Sequence, residues 1–68
     1  MKHGARNQIA GTVKEIKKGG VMCQVVLETR SGELSSVMTI DSLDSMGLKK
    51  GDKVSLLVKA VNTILVKE

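Results

Sequence analysis

The chain has 68 residues, a formal net charge of +4, a single cysteine and no Phe, Tyr or Trp. This length corresponds to one domain over residues 1–68, and a single cysteine excludes an intrachain disulfide. One histidine and one cysteine cannot supply the ligands of a zinc site, so we expect no free metal cation. Small domains without such links are commonly stabilised by oligomerisation, and we therefore predict self-association.

The sequence also limits the compartment and the partners. Its apolar runs are all shorter than the about 20 residues of a membrane-spanning helix, and its first residues lack the pattern of a signal peptide. A free thiol is typical of a reducing compartment, so we expect a cytoplasmic protein without membrane contact. The positive charge indicates an anionic partner, either a nucleic acid or a small anion, unless it serves only solubility.

Alternating apolar and polar residues predict five strands with one short helix. The strands cover about residues 8–17, 21–28, 34–40, 54–61 and 64–66. Ile16 lies out of phase with the first strand and indicates a β-bulge. Asp41 suits the N-cap of a helix of one or two turns, and Gly47 suits the position after its end. This order predicts an all-β fold, a five-stranded OB-like Greek-key barrel with the helix between strands 3 and 4.

Some apolar residues lie on the second face of the predicted strands. Val26, Leu57 and Val61 alternate with the positions expected to face the core. That face is in contact with water in a lone barrel, so an apolar second face indicates a buried contact between subunits.

The sequence contains no constellation that suits catalysis. His3, the one histidine, lies at the start of the chain. Asp41 and Asp44 suit the electrostatics of a helix N-terminus better than acid–base chemistry. Cys23 alternates in phase with Val25, which predicts a buried thiol and not a nucleophile. We therefore predict that the protein is not an enzyme.

Nucleic-acid binding is one alternative for an OB-like barrel. Such barrels stack bases on aromatic side chains, at about 1–3 kcal/mol per base. This chain has no such platform, and its 11 Lys and Arg residues, against 7 Asp and Glu residues, are scattered along the sequence. The composition argues against nucleic acid and leaves only contacts to phosphate for that alternative.

A small oxyanion is the other candidate ligand. A fully ionised oxyanion is bound by hydrogen-bond donors and cations. The sequence places such groups in four segments, which are Arg6 with Asn7, Thr39 with Ser42, Lys59, and the turn Lys18-Gly19-Gly20, whose backbone can form an anion-binding nest. Each segment alone has a simpler interpretation as a cap, a turn or a solvated lysine.

Six segments of the chain also occur in an informative order. They are Ala-Arg-Asn-Gln at 5–8, Gly11-x-Val13 with Lys-Lys-Gly-Gly-Val at 17–21, Val-Val-Leu-Glu at 25–28, Thr-Ile-Asp-Ser at 39–42, Gly-Leu-Lys-x-Gly at 47–51 and Val-Lys-Ala at 58–60. In these segments the chain resembles the Mop family of molbindins, whose domain is also called TOBE. The resemblance implies an OB-like barrel, a homohexamer built as a trimer of dimers, and storage or buffering of molybdate or tungstate without an organic cofactor.

The same resemblance assigns residues to two kinds of oxyanion site. One site joins the N-terminal segment of one subunit to donors of another subunit, which are here Gly4, Ala5, Arg6 and Asn7 on one side and Thr39, Ser42, Lys59 and Ala60 on the other. The second site lies near the threefold axis and is lined here by Lys18, Gly19, Gly20 and Val21.

Gly4 is a departure from the family, which usually has a serine there. A lost hydrogen bond to a charged group costs about 1.5–3 kcal/mol, or about one to two orders of magnitude in affinity. An assembly or regulatory module with a decayed anion pocket is therefore a further alternative. The residue types do not separate molybdate from tungstate.

Overall fold

The computed structural model describes residues 7–67. In chain order its elements are β1 (Asn7–Lys18), β2 (Met22–Thr29), β3 (Gly32–Thr39), the helix α1 (Ile40–Met46), β4 (Lys53–Val58) and a single 3-10 turn (Ala60–Asn62). The four strands form one antiparallel sheet in the order β3-β2-β1-β4. Over the described residues, no helix is long and apolar enough to cross a membrane.

The hydrophobic core lies between one face of the sheet and α1. Its most buried side chains are each at most 3% exposed and comprise Val13, Cys23, Val25, Leu27 and Leu43. Alternate positions of β2 supply three of them, because successive side chains of a strand point to opposite faces. The prediction of a buried Cys23 thiol is therefore confirmed.

The sheet is open, and the predicted five-stranded barrel is wrong for this structure. The mostly β class and the helix between β3 and β4 are confirmed, but residues 64–66 form no strand. Ile64, Leu65 and Val66 are at least 82% exposed. A strand exists only where its backbone groups pair with a neighbour, and within residues 7–67 this segment has no such neighbour. β3 and β4 thus remain the edges of the sheet, with an opening of about 270 Å³ beside core residues such as Met38 and Leu56.

The β-bulge that the out-of-phase Ile16 indicates is confirmed in β1. The register shifts between Val13 and Glu15, and Ile16 pairs with Val25 in the ordinary way. The loop after α1 lies beside the bulge. The Val13 N–H donates to the Asp52 carbonyl, and its carbonyl accepts from Gly51, both at 2.8 Å. Gly51 and Asp52 of this loop therefore bind the backbone of Val13, next to the point where the register between β1 and β2 shifts by one residue.

Both ends of α1 follow the local sequence, with one correction. Thr39, and not Asp41, is the N-cap, and its side chain accepts from the backbone N–H of Ser42. Asp41 instead lies in the first turn. Gly47 ends the helix with φ of 63°, a left-handed conformation that favours glycine because it has no Cβ. The predicted fourth strand also ends early, at Val58, because the chain turns at Ala60–Asn62.

The three apolar residues that were predicted to form a subunit contact differ in their exposure. Val26 is only 7% exposed within one chain. It lies on β2, the strand that is crossed by the ion pair of Lys14 on β1 with Glu33 on β3. Val26 therefore needs no partner subunit to be buried, whereas Leu57 and Val61 remain 43% and 87% exposed.

Candidate functional site

The first group of predicted site residues meets where β1 begins and β4 ends. Asn7 pairs with Val58 across the two antiparallel strands, so Lys59 follows directly after the partner of Asn7. An open pocket of about 580 Å³ lies at this corner and is lined by Asn7, Gln8, Ile9, Val58 and Thr63. We call this region the Asn7–Thr63 corner. Gly4, Ala5 and Arg6 precede it and lie outside the described residues.

A hydrogen-bonded turn holds the chain after Lys59 at this corner. The backbone N–H of Asn62 donates to the Lys59 carbonyl at 2.9 Å. Thr63 donates twice to the Ala60 carbonyl, from its N–H at 3.2 Å and from its hydroxyl at 2.7 Å. Lys59 and Ala60 are exposed. Thr63 lies in the gap between the predicted strands 54–61 and 64–66, and the sequence did not predict this turn.

The second group consists of two hydroxyls where β3 passes into α1. Thr39 Oγ1 accepts from the Ser42 N–H at 3.0 Å and lies 2.9 Å from Ser42 Oγ, to which it donates. This is the usual N-cap arrangement, in which a side-chain oxygen binds an otherwise unpaired N–H of the first turn. Each hydroxyl carries one hydrogen. The Thr39 hydroxyl uses its hydrogen in the bond to Ser42 Oγ, so the hydrogen of the Ser42 hydroxyl remains for donation to a ligand.

The third group is the turn between β1 and β2, which holds Lys18, Gly19, Gly20 and Val21. The Gly19 N–H donates to the Met22 carbonyl at 2.8 Å, and the Val21 carbonyl accepts from the Ile40 N–H at 2.8 Å. Ile40 follows Thr39 directly. The turn predicted for one site and the hydroxyls predicted for the other therefore adjoin each other in the same chain.

The charges divide the lysines into two sets. Lys14 is ion-paired with Glu33 and lies 3.9 Å from Glu28, and Lys17 lies 3.9 Å from Glu15. The hydrogen bond with Lys14 and its positive charge hold the pKa of Glu33 below its ordinary value. The other described lysines belong to no ion pair, and they are Lys18, Lys49, Lys50, Lys53, Lys59 and Lys67. Lys18 and Lys59 are the two of this set that lie in the predicted site segments.

The structure brings the predicted residues together in two places and not in one. Asn7, Lys59 and Ala60 lie at the Asn7–Thr63 corner. Thr39 and Ser42 lie with the Lys18–Val21 turn, at the other end of β1, because β1 runs from Asn7 to Lys18. No hydrogen bond between residues 7–67 connects the two places, and the pocket at the Asn7–Thr63 corner is not lined by Thr39 or Ser42. The same residues include no cluster of His, Cys, Asp and Glu that could hold a metal ion.

These observations define the class of protein, which is a small, mostly β domain with an apolar core and exposed hydrogen-bond donors. The TOBE domain family matches residues 4–65, and the chain belongs to this TOBE/Mop family. The resemblance found in the sequence is thus confirmed over nearly the full length.

Three similar proteins illustrate the family. A molybdate-binding protein from Sporomusa ovata is 45% identical, with a TM-score of 0.94 over 98% of this chain and 100% of that chain. The molybdenum-pterin-binding protein 2 of Clostridium pasteurianum is 36% identical over 97% of this chain and 98% of its own length. The cytoplasmic molybdate-binding protein ModG, whose structure contains molybdate, is 38% identical, with a TM-score of 0.82 over 88% of this chain and 43% of that chain. None of these three is named for a reaction.

Proposed function

We propose that this protein binds molybdate or tungstate and stores or buffers the anion in the cytoplasm. The observation that carries the proposal is that donor groups of the kind an oxyanion requires occupy both of the places described above. They include the Ser42 hydroxyl, the Asn7 amide and the charges of Lys18 and Lys59. Family membership, and relatives that are named for molybdate, support the same ligand.

We further propose that the sites form between subunits of a homohexamer, arranged as a trimer of dimers. Asn7 and Ser42 lie in separate places of one chain, so one copy alone does not surround a small anion with both sets of donors. The exposed apolar residues Leu57 and Val61 support association of copies. One oxyanion site would then join Gly4, Ala5, Arg6 and Asn7 of one copy to Thr39, Ser42, Lys59 and Ala60 of another copy. The turn that holds Lys18, Gly19, Gly20 and Val21 would supply the site near the threefold axis.

A second candidate ligand is a molybdenum–pterin compound. The relatives from Clostridium pasteurianum are named for such a ligand. The open pocket at the Asn7–Thr63 corner, at about 580 Å³, is larger than a tetrahedral anion requires, and Ile9 and Val58 give it an apolar wall. We favour the free oxyanion, because the cations and hydroxyls suit its charge without a second component.

Isothermal titration calorimetry with molybdate, in the presence of excess sulfate, tests the proposed function. We expect the wild-type protein to bind and Arg6→Ala to bind at least about tenfold more weakly, because a charge-assisted hydrogen bond is worth about 1.5–3 kcal/mol. Arg30→Ala is the matched control, since it removes the same charge from the turn between β2 and β3.

Three results would argue against the proposal. Absence of molybdate binding by the wild-type protein would favour the module with a decayed anion pocket. Equal weakening in Arg6→Ala and Arg30→Ala would reduce the role of Arg6 to general charge. Binding of a short oligonucleotide at about 0.15 M salt, with no response to molybdate, would favour the nucleic-acid alternative.

A further inference from the structure

We infer that residues 63–67 of one copy lie as a strand in the opening between β3 and β4 of a second copy. The inference deepens the proposed association of copies, on which it rests, by naming the segment that makes the contact and the surface that receives it. It does not depend on which oxyanion the protein binds.

The 63–67 segment has the character of a strand that lacks a partner. Ile64, Leu65 and Val66 are 87%, 98% and 82% exposed, although burial of apolar surface is the main favourable term in folding. Ile and Val are residue types that are enriched in strands. Thr63, which begins the segment, already has an extended backbone, with φ of −98° and ψ of 141°. Within residues 7–67, no strand of the sheet pairs with this segment.

The opening between β3 and β4 has the size and chemistry to receive the segment. These strands are the two edges of the sheet, yet Met38 of β3 and Leu56 of β4 line the same opening of about 270 Å³, with Val25 and Leu27 of β2. An apolar cavity of about 150 Å³ accepts a benzene molecule, so this opening has room for two aliphatic side chains. Alternate side chains of a strand point to the same face. The segment therefore offers a pair that fits, Ile64 with Val66.

The edges themselves are open to a further strand. An edge strand presents unpaired N–H and C=O groups, and proteins commonly protect such edges with Pro or Lys. β3 contains neither residue type, and β4 contains only Lys53, at its first position. A strand that enters the opening would bind these backbone groups by β-strand addition, while its alternate side chains enter the apolar opening.

The turn before the segment directs it away from the opening of its own chain. Thr63 lines the corner pocket with Asn7 and Ile9, and these two residues belong to β1, which pairs with one edge of β4. The opening lies at the other edge of β4, where no strand of residues 7–67 pairs. The Thr63 N–H and hydroxyl both donate to the Ala60 carbonyl and hold this turn. A second copy therefore provides the opening that the segment does not enter in its own chain.

Disulfide cross-linking between two co-expressed variants tests the placement directly. One variant carries Met38→Cys in the opening and the other carries Val66→Cys in the segment. Both also carry Cys23→Ala, which removes the native thiol. After mild oxidation, we expect a covalent dimer that links one copy of each variant. The control replaces Met38→Cys with Val37→Cys, one residue away on the opposite face of β3 and 66% exposed, and should give no such dimer.

The same two substitutions in a single chain distinguish exchange between copies from folding back within one copy. We expect the chain with Met38→Cys and Val66→Cys to form covalent links between copies. A disulfide within the single chain would mean that the segment enters its own opening, and this result would overturn the inference. Absence of the mixed dimer in the co-expression experiment would overturn it as well.

Sedimentation equilibrium of the full chain gives a second measurement that needs no new thiol. A charge is strongly disfavoured in an apolar opening, so Ile64→Asp should lower the mass of the assembly. Its circular dichroism should match the wild type, because Ile64 is already 87% exposed in one chain. Val37→Asp is the matched control and should retain the wild-type mass.

The outcomes separate this inference from the proposed function. An Ile64→Asp variant that keeps the wild-type mass would overturn the exchange and leave oxyanion binding untouched. An assembled wild type that forms the mixed disulfide but binds no molybdate would support the exchange and contradict the proposed storage of the anion. A monomeric wild type would overturn both the exchange and the proposed association of copies.

Discussion

The Val21 carbonyl accepts a 2.8 Å hydrogen bond from the backbone N–H of Ile40. This bond joins the turn after β1 to the first residue of α1, directly after the N-cap Thr39. The two segments were assigned to different oxyanion sites by resemblance, yet they share a backbone contact in one chain. A change in the turn should therefore affect the position of the Thr39 and Ser42 hydroxyls.

Two neighbouring glycines of this turn allow a matched test of its geometry. A Cβ on Gly19 would lie 3.1 Å from the Met22 carbonyl oxygen, whereas a Cβ on Gly20 would meet no atom within 4 Å. We expect Gly19→Ala to lower the free energy of unfolding by roughly 1 kcal/mol and Gly20→Ala to leave it nearly unchanged. Urea denaturation at fixed protein concentration measures both. Equal effects of the two substitutions would contradict the close approach at Gly19.

Substitution should distinguish the role of the Thr39 hydroxyl from that of the Ser42 hydroxyl. Thr39→Val removes the N-cap, so we expect a loss of about 0.5–2 kcal/mol of stability together with weaker molybdate binding. Ser42→Ala retains the backbone N–H that binds Thr39, so it should weaken molybdate binding with little loss of stability. Thermal unfolding and calorimetric titration of both variants check this, with Thr39→Ser as the control. A large loss of stability in Ser42→Ala would show that Ser42 serves the fold and not the ligand.

The ion pair between Lys14 and Glu33 predicts a pH dependence of stability. The hydrogen bond and charge of Lys14 lower the pKa of Glu33 in the folded protein, so the pair stabilises the fold at neutral pH. That contribution is lost as the pH falls below about 4.5, through the folded pKa of Glu33. The hydrogen bond and charge of Glu33 raise the pKa of Lys14, so the pair is also lost well above pH 10.5.

The stability of Glu33→Gln should therefore fall less as the pH is lowered than the stability of the wild type does. The measurement is the urea midpoint at several values between about pH 7 and pH 3. Glu15→Gln is the control, because it makes the same change of charge where the nearest lysine atom lies 3.9 Å away. Parallel curves for Glu33→Gln and the wild type would mean that the pair contributes nothing to folding.

Leu43 is the core residue that anchors α1, since it is 3% exposed. Leu43→Ala should cost about 2–5 kcal/mol, as other buried leucine truncations do. Met46→Ala on the same helix, where the side chain is 61% exposed, should cost much less. Loss of helix position would also displace Ser42, so Leu43→Ala should weaken molybdate binding. Equal stability of the two variants would contradict the packing described for α1.

Local patterns in the sequence predicted most of the fold. The recurrence of apolar residues at Cys23, Val25 and Leu27 identifies β2 and its core face, and Gly47 correctly marks the end of α1. The N-cap was predicted at Asp41, because aspartate and threonine both suit that position and the sequence does not distinguish them. The out-of-phase Ile16 correctly marked the bulge, since the register of β1 shifts just before it, between Val13 and Glu15.

The fifth strand and the site depend on contacts between distant parts of the chain, and these contacts cannot be read from composition or local pattern. Residues 64–66 have the residue types of a strand but no partner in the described chain. The pairing of Asn7 with Val58 joins opposite ends of the sequence and follows only from the sheet order. Thr39 and Ser42, by contrast, are three positions apart, so their contact could be predicted from helix geometry.

The central claim is that copies of this chain assemble and hold oxyanions between them. Native mass spectrometry of the purified protein, with and without molybdate at micromolar concentration and with excess sulfate, measures assembly and loading in one experiment. The account predicts a hexamer that gains discrete molybdate masses and retains them in the presence of sulfate. A monomer, or a hexamer whose mass is unchanged by molybdate, would contradict it.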